Sequence, residues 1–349
     1  MNKISILGYK SDLLEPWDDS TPLTRSLPGS EEAVIYLSRE LVRLGYRVKV
    51  WMDPPEDSPH SLETSNPRYL PVDEFQNYYH GDEIVVCWRT SLPPETFTSR
   101  LRLYWPHDTF GRKIPSEIIK SFNGVLWLSP WQYHNYVSSQ GLWGKTSKIF
   151  LGNGWTPFSE YPLLERSPHS CIYGSNWSRG LEVVLDSWPE VRQKYPDATL
   201  TIAYGPNTWT VWSKEKEAQV LQRVESMKNL GVTNVGSIDH VYLERLYNEH
   251  SLWLYPNIDR ETFCITAVKA QGAGCIPVVV RKEGLNETVA PFADTASNNK
   301  EWRELLFKTL ERASSISLEE RQRYIDFSKN WLWSETAKRF DTFVKGLLS

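Results

Sequence analysis

The stretch from Tyr255 to Val279 has residue types and an order suited to holding an anion and a polyol. It opens with Pro256-Asn257-Ile258-Asp259-Arg260-Glu261, continues through Thr262-Phe263-Cys264-Ile265 and a run of small residues, and ends in a Gly274-Cys275-Ile276-Pro277-Val278 turn. The Glu261 carboxylate can accept hydrogen bonds from sugar hydroxyls. A helix is expected directly after it, capped by Thr262 or Asp259. The backbone N–H groups of Phe263, Cys264 and Ile265 would then leave its first turn free for an anion. Lys269 falls about two turns further on, near the same face. Read as periodicity alone, the stretch is a buried helix whose Ala267, Ala270, Gly272 and Ala273 suit packing on a sheet.

Three other segments carry candidate chemistry. In Tyr173-Gly174-Ser175-Asn176-Trp177-Ser178-Arg179-Gly180, Arg179 stands beside an expected helix start, where guanidinium and helix dipole can share a diphosphate. In Ser26-Leu27-Pro28-Gly29-Ser30-Glu31-Glu32, Gly29 permits close backbone approach ahead of a helix, although Pro-Gly is also ordinary punctuation. Trp105-Pro106-His107-Asp108 ends an apolar strand, where open α/β sheets place site residues. His107 can donate to a hydroxyl or carry a proton, and Asp108 can orient it.

Positioning these residues takes alternating strands and helices. Expected strands are 3–8, 47–53, 83–89, 102–106, 125–129 and 148–151, with the clearest helix at 30–44, where Ala33, Val34, Leu37, Leu41 and Leu44 share a face. A proline-rich break at 154–168 separates a second series, with strands at 170–174, 199–205, 233–236, 252–255 and 276–281. Helices fit at 180–194, 214–230, 240–250 and 263–273, and two or three more in the tail. The 349 residues suit two α/β domains with parallel sheets. The expected division is 1–155, 165–330, and a final helix from 331 to 349 that returns to the first domain.

Composition narrows the function classes. The net charge of -4 gives no global signature for nucleic acid. No long uninterrupted apolar run suggests a membrane span, and Met1–Gly8 reads as a strand rather than a signal peptide. The four cysteines lack CxxC spacing, so neither a disulfide framework nor a zinc site is expected, and a reducing cytoplasm is the default location. Most of the 16 tryptophans are expected in core or domain-interface packing, and some as stacking surfaces.

Glu261-Thr262-Phe263-Cys264-Ile265 and Gly274-Cys275-Ile276-Pro277-Val278 resemble the retaining, nucleotide-sugar-dependent glycosyltransferases of the GT-B fold, in glycosyltransferase family 4 or "group 1". The likeness runs in order over nearly the whole chain: Pro28-Gly29-Ser30, Trp105-Pro106-His107-Asp108, Asn153-Gly154 and Arg179-Gly180 each resemble a family segment. The resemblance implies two Rossmann-like domains facing across a cleft. It implies transfer of a hexose from a UDP- or GDP-sugar to a glycan or other hydroxyl acceptor, with retained configuration and no metal or other cofactor. His107 and Glu261 would be catalytic, Gly29, Arg179, Phe263, Cys264 and Ile265 would hold phosphate, and Lys269 would lie on the ribose side. Asp108, Asn257 and Arg260 would support the donor sugar. A monomer or weak dimer fits the resemblance.

Two positions depart from the family pattern. Lys269 stands where the family has a second glutamate, and lysine offers only donors. Ser175 stands where many members have arginine. An alternative is therefore a catalytically weakened nucleotide-sugar-binding module; an epimerase or hydrolase of the same fold ranks third. Acceptor binding is expected in loops 9–28 and 54–80, where Trp17, Tyr69, Tyr78 and Tyr79 either stack on sugar rings or pack.

Overall fold

In the computed structural model the alternating segments form two parallel sheets, and the structure describes residues 3–11, 14–79, 81, 83–109, 113–141, 143, 146–157, 165–205 and 212–349. Residues 158–164 of the expected domain break lie outside the described residues, as does the side chain of Tyr78. One compact unit comprises Met1–Thr21, Pro28–Thr156 and Trp331–Ser349; the other comprises Pro22–Leu27 and Pro157–Asn330.

The first unit holds β1 (Lys3–Leu7), β2 (Arg47–Met52), β3 (Arg68–Pro71), β4 (Ile84–Trp88), β5 (Leu101–Trp105), β6 (Gly124–Trp127) and β7 (Ser147–Phe150), in spatial order β3-β2-β1-β4-β5-β6-β7. All neighbours pair in parallel. Helices cover such a sheet on both faces, which is why β4 is apolar and both β4 and β5 are buried along their whole length, Arg102 included. The strand β3 falls inside the 54–80 segment expected to be irregular. It is a four-residue edge strand ending in Pro71, too short to show alternation and placed where proline is tolerated. The helix Gly29–Arg43 follows β1, starting one residue before the expected Ser30, with Pro28 as an extended N-cap and Ala33, Val34, Leu37 and Leu41 buried.

The final helix, Trp333–Leu348, belongs to this unit. Trp155 N donates to Trp331 O at 2.9 Å and Trp333 N to Trp155 O at 3.0 Å, so the chain adds a short bridge beside residue 155 before turning helical. Gly154 lets it approach: a Cβ there would lie 2.8 Å from the Trp333 ring and 2.9 Å from Trp331 O. Tyr46 Oη to Asp341 (2.6 Å) and Arg339 to Leu151 O (3.1 Å) fasten the helix further.

The second unit holds β8 (Ser170–Tyr173), β9 (Thr199–Ala203), β10 (Val232–Gly236), β11 (Leu252–Tyr255) and β12 (Ile276–Val279), all parallel, in order β10-β9-β8-β11-β12. The order reverses at β8, so the loops leaving β8 and β11 lie side by side, at the switch point where open α/β sheets bind ligands. Trp188, Trp253 and Trp302 are fully buried in the core around this sheet. The tail of this unit supplies Asn299–Arg312 and Leu318–Ser328. All four cysteines are buried and free. Among the described residues no helix is long and apolar enough to cross a membrane.

Candidate functional site

In the second unit the loops after β8 and β11 bring together Arg179, Asn257, Arg260 and Glu261. Gly180 makes the approach possible: at φ +122 it adopts a backbone that other residues avoid, and a Cβ there would meet Pro256 Cγ at 2.8 Å. Ile258 N then donates to Arg179 O at 3.4 Å. The Arg179 guanidinium donates to Arg260 O and pairs with Asp259 at 3.4 Å. The Arg260 side chain itself is exposed, so this residue contributes its carbonyl to the cluster.

Glu261 is held on all sides. Tyr255 Oη donates to its Oε2 at 2.9 Å, while Glu261 N donates to Glu283 Oε2 at 2.6 Å and Glu261 O accepts from Gly284 N at 2.9 Å. Burial pushes its carboxyl above the usual carboxylate range; Arg179 foremost, then Tyr255 and the Phe263 N–H, pull in the opposite direction. The nearby Glu261 charge in turn helps keep Arg179 protonated.

The helix after Glu261 begins later than expected. It spans Ile265–Gly272, with Cys264 as N-cap and no side-chain capping bond. Asp259 instead accepts from Arg260 N at 2.8 Å within its own loop. Phe263 and Cys264 are thus buried residues ahead of the helix, with the Phe263 N–H turned to the Glu261 carboxylate, and only Ile265 stands in the first turn. Lys269 lies in the last turn of this helix, partly buried.

The first unit gathers a separate cluster at the ends of β4 and β5. His107 is buried against Trp105 and Trp88, with ring centroids 4.6 and 5.9 Å away. Burial, and then the Arg89 cation, hold the imidazole well below its usual range, so it is neutral at pH 7. Arg89 directly follows β4 at φ +54 and donates to both carboxylate oxygens of Asp108, from Nη2 at 2.8 Å and Nε at 3.2 Å. Its Nη1 reaches Glu31 and Ser30 Oγ, each at 3.4 Å. Gln132 ties the same loop down through the carbonyls of Pro106 and Asp108.

Gly29 is the first residue of its helix, but that first turn carries Glu31 and Glu32, both buried. Glu31 takes the Ser30 hydroxyl at 2.6 Å and its own backbone N–H, and burial raises its pKa. The positive end of this helix is therefore already faced by a carboxylate. Of the aromatic acceptor candidates, Tyr69 is fully buried and Trp17 nearly so, packed edge-on 6.2 Å apart, and Tyr79 stacks on Phe75 at 4.7 Å. These rings are packing elements.

Arg89, Glu31, Tyr255, Glu283 and Gly284 were not singled out as site residues from the sequence. Gly284 carried a usable signal, a glycine shortly after a Pro-Val strand: a Cβ there would lie 2.5 Å from the Thr262 carbonyl. Among the described residues no three His, Cys, Asp or Glu side chains gather as metal ligands would.

Residues 169–306 match the family described as Glycosyl transferases group 1. No curated protein matches the chain. Similar solved structures include sucrose-phosphate synthase from Thermosynechococcus elongatus, with TM-score 0.74 and 15% identity, covering 99% of both chains. HepE from Anabaena, in complex with UDP and glucose, has TM-score 0.68 and 13% identity over 99% of this chain and 100% of that one. The catalytic domain of starch synthase IV from Arabidopsis thaliana, bound to ADP and acarbose, has TM-score 0.66 and 13% identity over 99% of both chains. The chain thus has the GT-B fold, and residues 169–306, within its second unit, match the group 1 glycosyl transferases.

Proposed function

We propose that this protein is a retaining, metal-independent glycosyltransferase that moves a hexose from a nucleoside-diphosphate sugar to an acceptor hydroxyl. The observation that carries the reading is the Arg179–Glu261 cluster, set at the switch point of the unit that matches the group 1 family. UDP is the first nucleotide to test, because the solved structures of HepE hold UDP and UDP-glucose.

In this account the bond between the hexose anomeric carbon and the diphosphate oxygen breaks and its electron pair leaves with the diphosphate, while the acceptor oxygen bonds to the same face of the anomeric carbon and its proton passes to the departing diphosphate. Arg179 and the N-terminus of Ile265–Gly272 stabilise that growing charge, which is the largest contribution such a site can make. Glu261, fixed by Tyr255 and Glu283, accepts from donor-sugar hydroxyls. In the first unit, neutral His107 is the hydrogen-bonding group for a sugar hydroxyl, with Asp108 and Arg89 fixing its loop. Gly29 has at most a share in close backbone approach, since Glu31 already faces its helix start. The chain is assigned to the cytoplasm as a monomer or weak dimer.

Lys269 favours a second reading, a nucleotide-sugar-binding module of the same fold with weakened catalysis. Turnover separates the two. Proton NMR of the protein with UDP-glucose or GDP-mannose and a set of sugar acceptors, with water as the default acceptor, with and without EDTA, follows nucleotide release and the configuration of the first-formed product. The transferase releases nucleoside diphosphate and yields the donor's own anomer, unaffected by EDTA. Binding without release identifies the module, and an inverted first product contradicts retention.

A further inference from the structure

Asn257 is the one side chain of the second-unit cluster that the fold leaves chemically unsatisfied. It is 1% exposed, and neither its Nδ2 nor its Oδ1 has a hydrogen-bond partner in the protein. A buried amide without partners is a destabilising arrangement that native folds rarely keep. Its backbone adds to the cost, sitting at φ +39, in the left-handed region where asparagine is tolerated better than most residues. Both features fall within the ligand-facing loops: Asn257 N lies 3.5 Å from the position of a Cβ on Gly180, next to Arg179, and Glu261 follows four residues on. Several polar groups of the same two loops are engaged elsewhere. Arg179 holds Arg260 O and Asp259, Tyr255 holds Glu261, and Asn176 holds Ser178 through both N and Oγ.

We infer that Asn257 is a donor-binding residue whose amide is completed by the hexose–diphosphate junction of a nucleotide sugar. The inference rests on the donor-binding reading above. The chemistry follows from what an amide offers. Its two N–H donors need an acceptor, which a phosphate oxygen supplies, and its carbonyl needs a donor, which a sugar hydroxyl supplies. A free nucleoside diphosphate satisfies only the amide nitrogen. A nucleotide sugar satisfies both ends, so the residue distinguishes the loaded donor from the spent one.

The test is titration calorimetry of the full chain with UDP, UDP-glucose, GDP and GDP-mannose, on the wild type, Asn257→Gly and Asn257→Asp, with a thermal midpoint for each. Glycine keeps the left-handed backbone while removing the amide. Asn257→Gly should keep its midpoint within about 3 °C of wild type. It should lose at least about tenfold in affinity for the nucleotide sugar and distinctly less for the matching diphosphate. Asn257→Asp, which loses the donor and adds charge beside a phosphate, should bind both more weakly than Asn257→Gly does. Wild-type-like binding by Asn257→Gly, or binding lost only together with a collapsed midpoint, overturns the inference while leaving the donor-binding reading intact. A wild type that binds none of the four overturns both.

Discussion

Arg89 grips both carboxylate oxygens of Asp108 along one edge of its guanidinium, from Nη2 at 2.8 Å and Nε at 3.2 Å, and so ties the end of β4 to the loop that carries His107. The same guanidinium lies 5.3 Å from the Trp88 ring centroid and 5.5 Å from that of Tyr9, while Nη1 reaches Glu31. A planar fork is needed to meet these partners together, and lysine has none. Arg89→Lys should therefore lower kcat by about 10-fold or more, as expected for a misplaced sugar-binding loop. Because the pair is partly solvent-exposed, the stability cost should stay at ~1 kcal/mol. Steady-state kinetics together with urea unfolding check this; unchanged kcat would remove Arg89 from the positioning of His107.

His107 gives the protein an acid-sensitive element. Its folded pKa is held below the unfolded value of about 6.5, so the unfolded chain takes up the proton first as pH falls. Stability from this group is full above about pH 6.5 and declines below it. His107→Gln removes the effect and leaves buried His250, also held low by its burial, in both proteins. Urea unfolding between pH 5 and 7.5 should show the wild type losing stability faster on acidification than the variant; parallel curves would contradict a buried neutral imidazole.

Glu261 has the opposite linkage. Its folded pKa is raised, chiefly by burial, so its stabilising contribution is complete below about pH 4.3 and is lost as pH rises through the folded value. Glu261→Gln should accordingly melt about 2–4 °C above wild type at pH 7. That gap should close as pH falls toward 4.5, while the variant's turnover at pH 7 lies about 100-fold or more below that of wild type. Differential scanning calorimetry across this range, paired with a nucleotide-release assay, tests both halves. A variant less stable than wild type at pH 7 would show that the Arg179 attraction outweighs burial.

Lys269 decides between the two readings of function. In an active transferase the lysine has been recruited to the donor, and Lys269→Glu should weaken nucleotide-sugar binding by about 10-fold, as expected from replacing a cation with an anion at the site of an anionic ligand. Tighter binding by the variant, measured by calorimetry, would instead identify a module whose donor site has decayed.

Much of this architecture can be read from the residues because parallel strands buried on both faces are continuous apolar runs, as in Ile84–Trp88 and Leu252–Tyr255. The Glu261 loop and Arg179 were legible for a related reason: both follow such runs directly. Edge strand Arg68–Pro71, with one exposed end and a terminal proline, leaves no such trace. The helix start was misplaced because Asp259 and Thr262 are both good caps by type, and only the folded loop shows Asp259 bonded to Arg260 N. Arg89–Asp108 and Glu261–Glu283 join neighbouring parallel strands across about twenty residues, a separation at which neither periodicity nor local spacing carries a signal. The burial of Asn257 without a partner is likewise a property of the fold alone.

The most direct measurement is the thermal midpoint of the wild type and Arg179→Ala against UDP, GDP, ADP and their common sugars, with and without EDTA. Ligand that binds the folded state raises the midpoint by mass action. A rise with one nucleotide family, unchanged by EDTA and abolished in Arg179→Ala, is the predicted result. No rise with any of them, or an equal rise in the variant, would contradict a nucleotide-sugar site built on Arg179 and Glu261.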